Sequence, residues 1–191
     1  MRKKIILGII ILAAIVGAVY FNMNYAVVEE YCHEYDSHKH IVRTDTEKID
    51  KLITCTPSLK KYTNLKSLSV VANSETNFEY LSQMNSLEKI SIFYFDGYCG
   101  SLKNLPELPN LRELTVFGSL KTYDTFTISA ENKHIFSNIE NLDLRVFHDI
   151  DFSSLNYFEN LHTLYMLNIN NDLTEEQIKE LQEKGIDVKI S

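Results

Sequence analysis

Leu59-x-x-Tyr62-x-x-Leu65-x-x-Leu68-x-Val70 is the stretch that decides the fold, because the chain repeats it. Leu81-x-x-Met84-x-x-Leu87-x-x-Ile90-x-Ile92 is the second copy, and Leu105-x-x-Leu108-x-x-Leu111-x-x-Leu114-x-Val116 the third. A weaker fourth copy runs Phe136-x-x-Ile139-x-x-Leu142-x-Leu144, with Lys133 where the leading apolar residue should stand. Leu155-x-x-Phe158-x-x-Leu161-x-x-Leu164-x-Met166 is the fifth. Counted from the central apolar residues 65, 87, 111, 139 and 161, the steps are 22, 24, 28 and 22 residues. Self-similarity at such a period marks a repeat architecture, and the step of 28 implies an inserted loop.

Each part of the repeat has a physical reading. The two apolar residues at the end of a copy are two apart, so on a short strand they point to one side. The upstream apolar residues at three-residue spacing suit a tight turn that returns the chain. One unit cannot bury its apolar face alone, whereas stacked units bury it continuously beneath a parallel sheet. Five strands at about 4.8 Å make an arc of roughly 20–25 Å.

Over residues 58–172 this pattern resembles the bacterial leucine-rich repeat proteins, with the 22-residue spacing of the internalin-like group. The resemblance implies an α/β solenoid of about five coils with a parallel concave sheet. It also implies an Asn three residues after the second strand residue, forming a buried ladder. Only Asn73 fits; Phe95, Ser119, Phe147 and Ile169 occupy the matching positions. Aromatic stacking is expected to take the ladder's place.

Open solenoid ends expose core, so the terminal segments must differ from the repeats. Residues 173–191 have the features of a closing helix and strand. Thr174-Glu175-Glu176-Gln177 matches a capping box, with Leu173 and Ile178 in the staple positions. Glu180 and Lys184 form an i,i+4 pair, Gly185 is a suitable stop, and 186–190 alternate as a strand. Residues 22–57 are read as the amino cap: a short strand at His40–Arg43, then a helix opened by Thr44-Asp45-Thr46-Glu47 with Ile49, Leu52 and Ile53 on one face. Cys32 and Cys55 flank this cap, and in an oxidising compartment a disulfide between them would staple it to the first coil. Three cysteines allow three single bridges, and Cys99, in a turn-like Asp96–Gly100 tip, is read as a small, partly buried residue.

Ahead of the cap, Arg2-Lys3-Lys4 precede Ile5–Phe21, 17 residues without charge. As a helix these reach roughly 25 Å, near the lower limit for a bilayer core. Residues 1–21 are therefore expected to be a signal anchor held in the membrane through 5–21, or a signal peptide cleaved after Ala18 or Ala26. The cations should stay cytosolic and send residues 22–191 outside the cytoplasm, anchored or secreted.

The chain carries 19 Lys+Arg against 26 Asp+Glu, a net charge of −7. Without the three leading cations the remainder is 16 against 26, or −10. Such a surface suits neither nucleic-acid phosphate nor an anionic membrane face. No G-x-S-x-G, Walker loop, dinucleotide glycine fingerprint or H-E-x-x-H occurs, so no enzyme and no cofactor are expected. His33, His38 and His40 crowd one short segment, and a Zn²⁺ or Cu²⁺ site using them with Asp36 or Glu34 is the alternative reading.

The open side of the sheet is the more informative region. The residues between and beside the buried pairs form three columns. The first is Ser67, Lys89, Glu113, Asn141, Thr163; the second Ser69, Ser91, Thr115, Asp143, Tyr165. The third, Val71, Phe93, Phe117, Arg145, Leu167, is unusually apolar for a row facing solvent. Aromatics and Arg carry most binding energy at interfaces. Either this row binds protein or peptide, with a partner in the cell envelope, or a flanking loop from Tyr94–Asn104 or Lys121–Lys133 covers it as extra core. A structural subunit of an envelope complex, linked through Cys99, is a further reading.

Overall fold

A computed structural model describes residues 2–30, 38–73, 75–94, 99–118, 125–147, 149–167 and 173–191, with backbone alone at 2–9, 50 and 99–101. The fold is mixed α/β, dominated by one nine-stranded sheet. Helix α1 (Arg2–Asn24) leads into the hairpin β1 (Tyr25–Glu30) and β2 (His38–Arg43), followed by β3 (Lys48–Thr54). The repeats contribute β4 (Ser67–Ala72), β5 (Lys89–Tyr94), β6 (Glu113–Phe117), β8 (Asn141–Arg145) and β10 (Thr163–Leu167). Between them, β7 (Thr125–Phe126) and β9 (Asp149–Ile150) pair as a separate parallel ribbon, and α2 (Lys133–Phe136) forms a single turn. Helix α3 (Glu175–Glu183) and β11 (Asp187–Ile190) close the chain. The large sheet has the order β11-β10-β8-β6-β5-β4-β3-β1-β2. It is parallel from β3 to β11, and β1 runs antiparallel to both of its neighbours.

The repeat residues occupy one register. Leu68, Ile90, Leu114, Leu142 and Leu164 are successive neighbours across the strands, as are Val70, Ile92, Val116, Leu144 and Met166. All ten are buried. The three-residue spacing upstream consists of tight i→i−3 turns: Leu87, Leu111, Ile139 and Leu161 donate their N–H groups to the carbonyls of Met84, Leu108, Phe136 and Phe158. These apolar residues point inward, so the core lies between the sheet and the row of turns.

The chain enters each strand through a shared acceptor. The Lys66 carbonyl takes the N–H groups of Glu88 and Lys89, each at 2.9 Å. The carbonyls of Glu88, Arg112 and Glu140 do the same for the units that follow, and Glu47 does it for Lys66 and Ser67. A second ladder joins the turns through side chains. Ser86 donates to the Thr63 carbonyl at 3.0 Å, Asn110 to Asn85 at 2.6 Å, and Asn160 to Ser137 at 2.8 Å. All three donors stand one residue before the central apolar residue of their copy.

The Asn ladder implied by the resemblance is thus not where it was sought. Asn73 spends its side-chain oxygen on Glu75 N–H and the Thr76 hydroxyl, within its own loop. Phe147 is buried and meets Phe126 edge-on at 5.5 Å. Phe126 in turn faces Phe158, which packs on Phe136 at 5.6 Å. These rings fill the space left by the long third step, which leads into the fourth copy. Phe95, Ser119 and Ile169 lie outside the described residues.

Three expectations are corrected here. The fold class included a transmembrane helix, but among the described residues no helix is long and apolar enough to cross a membrane. The 17 uncharged residues of α1 reach about 25 Å, short of a hydrocarbon core of about 30 Å. The expected signal anchor spanning the membrane falls with it. Second, residues 48–54 are strand, not helix. Ile49 and Ile53 are buried on one side of an alternating segment, and the Glu47 carbonyl is engaged by the next unit rather than by a first helical turn. The β-branched Ile49, Ile53 and Thr54 suit that strand. Third, cleavage after Ala26 would cut β1 at a buried residue paired with Val42.

The carboxyl cap follows its sequence signals. Thr174 Oγ accepts the Gln177 N–H at 3.2 Å, and Gln177 Oε1 accepts the Thr174 N–H at 2.9 Å. Gly185, at φ +84°, ends the helix in a conformation that favours glycine.

At the edge of the open face, the Gly118 N–H donates to the Arg145 carbonyl at 2.8 Å. A Cβ there would lie 2.6 Å from the Val146 carbonyl oxygen and 3.2 Å from the Phe147 ring. Val146 itself is held at φ +64°, a region that β-branched residues avoid. Gly118→Ala must move backbone, so it is expected to lower stability by about 1–3 kcal/mol, read as a drop in the urea midpoint at unchanged slope.

Asp151 organises the turn before β10. Its carboxylate accepts from the side chain and the N–H of Ser153, from Ser154 and from Thr127. Ser154, fully buried, accepts the Ile128 N–H at 2.7 Å. The Ser153 hydroxyl, followed by those of Ser154 and Thr127, holds the Asp151 carboxyl below its ordinary value. A depressed carboxyl stabilises the fold above its unfolded pKa and loses that contribution as pH falls through the folded one. Asp151→Asn is therefore expected to be less stable than the native chain at neutral pH, with the gap closing below about pH 4 in parallel urea titrations.

Candidate functional site: the open face of the sheet

The three columns read from the sequence are registered neighbours in the sheet. Val71, Phe93, Phe117, Arg145 and Leu167 stand side by side on β4, β5, β6, β8 and β10. Phe93 and Phe117 are stacked with centroids 4.0 Å apart and planes 10° from parallel. The Arg145 guanidinium lies 5.2 Å from the Phe117 centroid and continues the stack. Val71 and the two rings are half-buried; Arg145, Tyr165 and Leu167 are exposed, the last two at 39% and 38%. The strand alternation that buries one apolar pair turns this row outward.

Arg145 is fixed in place. Its Nε lies 3.0 Å from both Asp143 carboxylate oxygens and its Nη2 2.6 Å from Oδ2. Asp143 raises the Arg145 pKa above its ordinary value, so the guanidinium stays charged at any working pH. The neighbouring strands carry their own pairs. Lys89 meets Glu113 at 2.8 Å across β5 and β6. Lys189 donates to the Tyr165 hydroxyl at 3.1 Å and lies 4.8 Å from that ring, with Asp187 at 3.1 Å. Tyr165 first, then Asp187, raises the Lys189 pKa.

Between these side chains lie two adjoining depressions. One, of about 360 Å³, is lined by Lys89, Glu113, Thr115, Asn141, Arg145 and Tyr165. The other, of about 150 Å³, adds Leu167, Met166 and Lys189. They share Asp143, Arg145 and Tyr165. The face is thus a shallow trough with a charged floor and an apolar wall. Asp187 and Lys189 were not among the candidates read from the sequence. Their signal was present, because β11 alternates like the repeat strands and extends the same columns.

The other candidates sit apart from this face. The disulfide expected between Cys32 and Cys55 is corrected: Cys55 is a free thiol. Its sulfur faces the Asn77 carbonyl at 3.4 Å, in the turn ahead of β5. Cys32 and His33 lie outside the described residues, as do Glu34 and Asp36. His40 is engaged by Glu30 at 2.5 Å, and Lys51 holds the same carboxylate oxygen at 2.9 Å. Lys51, then His40, keeps Glu30 below its ordinary pKa. His38 is exposed at the start of β2. Among the described residues no group of three His, Cys, Asp or Glu side chains is arranged to hold a metal ion.

Burial pushes the Cys55 thiol up to about 12, leaving little nucleophilic thiolate near neutrality. In a chain carrying Cys32→Ser and Cys99→Ser, Cys55 is expected to react with a thiol reagent at pH 8 about a hundredfold or more slower than in urea, measured by the rate of chromophore release.

No family model, curated protein or solved structure matches the chain.

Proposed function

We propose that this chain is a non-enzymatic binding module whose open sheet face takes a protein or peptide segment, acting outside the cytoplasm. The observation that carries this reading is the row Phe93–Phe117–Arg145–Leu167, where apolar side chains line a solvent-facing sheet column beside fixed charges. Apolar surface of this kind is usually buried in a soluble chain or covered by a partner. The stack is built before any partner arrives: Asp143 pairs with Arg145 and Phe117 lies against its guanidinium. A preformed surface loses little side-chain freedom on binding, which favours affinity. The polar residues of the adjacent columns supply the hydrogen-bonding rim found around interface anchors. The acidic net charge argues against nucleic acid as the partner.

Selection of a displayed random-peptide library on the purified chain tests the reading. Enriched peptides are expected to lose at least about tenfold in affinity for the Phe93→Ala/Phe117→Ala double variant, and for Arg145→Ala, in calorimetric titrations. Circular dichroism checks that the variants keep the fold. Failure to enrich any peptide, or affinities untouched by both variants, removes the open face as the binding site.

A further inference from the structure

Given the binding role proposed above, on which this rests, we infer that the segment taken by the open face is extended and uncharged. Two side chains four residues apart anchor it, and one of them is an aromatic ring seated beside Arg145 over Leu167.

The side chains of the trough are neutral in sum. Each cation beside it is already paired within the chain: Lys89 with Glu113 at 2.8 Å, Arg145 with Asp143 at 2.6 Å and Lys189 with Asp187 at 3.1 Å. Three cations thus stand against three carboxylates, although the whole chain is at −7. A charged side chain entering the trough would lose water beside as many like as opposite charges, a cost without a matching gain. An uncharged segment leaves all three pairs intact. Its main-chain groups meet polar partners on the floor. Among the described residues, the Thr115 hydroxyl and the Asn141 side-chain amide have no hydrogen bond of their own. Both are half-buried and line the larger depression.

The ring stack stops one place short. Phe93, Phe117 and the Arg145 guanidinium follow one another, with 4.0 Å between the rings and 5.2 Å from the Phe117 centroid to the guanidinium. On the next strand the registered neighbour of Arg145 is Leu167, which has no ring and is 38% exposed. One strand further, Lys189 lies over Tyr165 at 4.8 Å. Between these two ring-and-cation pairs lies the smaller depression, about 150 Å³, lined by Arg145, Tyr165, Leu167 and Lys189. It is below the roughly 300 Å³ of a small-molecule site and suits one side chain. A planar ring there rests on Leu167 and meets the guanidinium from the Leu167 side. The charge draws the ring face in a way it does not draw an aliphatic chain.

The strand spacing sets the distance between anchors. Neighbouring strands lie about 4.8 Å apart, so Leu167 on β10 and Phe93 on β5, three places apart in one row, are separated by about 14 Å. An extended chain advances about 3.3 Å per residue and returns to the same face at every second residue. Side chains four apart therefore stand about 13 Å from each other on one face. A helix brings the same two to within about 6 Å. The row thus matches an extended segment lying across the strands, with its ring at Leu167 and an aliphatic anchor at Phe93.

Calorimetric titration of the purified chain with end-blocked synthetic peptides of Ser, Thr and Gln, each carrying one Trp and one Leu, tests this. With the anchors four residues apart, binding is expected to be at least about tenfold tighter than with them three apart, or with the Trp replaced by Ala. The affinity is expected to change less than about twofold between about 0.05 and 0.5 M salt. Leu167→Ala, with its fold checked by circular dichroism, is expected to weaken the Trp peptide at least about fivefold. Equal binding of both spacings, no loss without the Trp, no effect of Leu167→Ala, or no binding of any uncharged peptide overturns the inference. Peptides with Glu or Lys that bind tighter, weaken with salt and weaken on Phe93→Ala/Phe117→Ala leave the open face as a binding site and sink this inference alone. Absence of binding by uncharged and charged peptides alike sinks both.

Discussion

Each of the five repeat strands is entered through one backbone carbonyl of the preceding unit that accepts two N–H groups. Glu47, Lys66, Glu88, Arg112 and Glu140 supply these acceptors in turn. Each such pair locks the register of one strand on the next, and register decides which side chains face inward. A slip of one residue would turn Leu114 and Val116 to solvent and bury Glu113 and Thr115. Desolvating Glu113 away from Lys89 would be costly, so the polar columns oppose the slip as firmly as the apolar ones. The whole arrangement of core and open face follows from that single repeated junction.

The same constraint explains the degenerate places. Where the third step is long, Lys133 stands in place of the leading apolar residue, and Phe126, Phe136, Phe147 and Phe158 fill the gap. Aromatic rings span more volume than Leu and tolerate edge or offset contacts, which suits an irregular unit. Gly118 and Val146 lie beside this region. A missing Cβ at one and a left-handed backbone at the other let the chain turn Phe147 into the core directly after Arg145 faces outward.

At the two ends of the parallel run of strands, the two caps solve one problem by different means. On the carboxyl side, α3 and β11 add a last parallel strand behind a well-capped helix. On the amino side, β3 continues the parallel run, and the sheet ends in the antiparallel β1–β2 hairpin that precedes β3 in the chain. That hairpin covers the sheet end with alternating side chains, so the buried Ala26 and Val28 face the core while Val27 and Ile41 face solvent. Hydrogen bonds tie this cap to the repeats: the Glu47 carbonyl takes the Lys66 and Ser67 N–H groups of the first copy, and the Cys55 thiol donates to the Asn77 carbonyl ahead of β5.

The residue spacing alone determined the strands of the repeats, their buried pairs and the three open columns, because period two and a three-residue turn are local properties of the chain. The capping box at Thr174 was equally local and equally legible. The reading failed where partners distant in sequence decide. Residues 48–54 carry a helix-start signal, but hydrogen bonds to β1 and β4 make them a strand. The inter-unit ladder runs through Ser86, Asn110 and Asn160, recognisable only once neighbouring turns are seen to touch. Cys55 looked like half of a bridge until its sulfur was found against Asn77. The fixed position of Arg145, between Asp143 of its own strand and Phe117 of the next, likewise needs two strands distant in sequence to lie side by side. Sequence periodicity sets which way a side chain points; only packing sets what it meets.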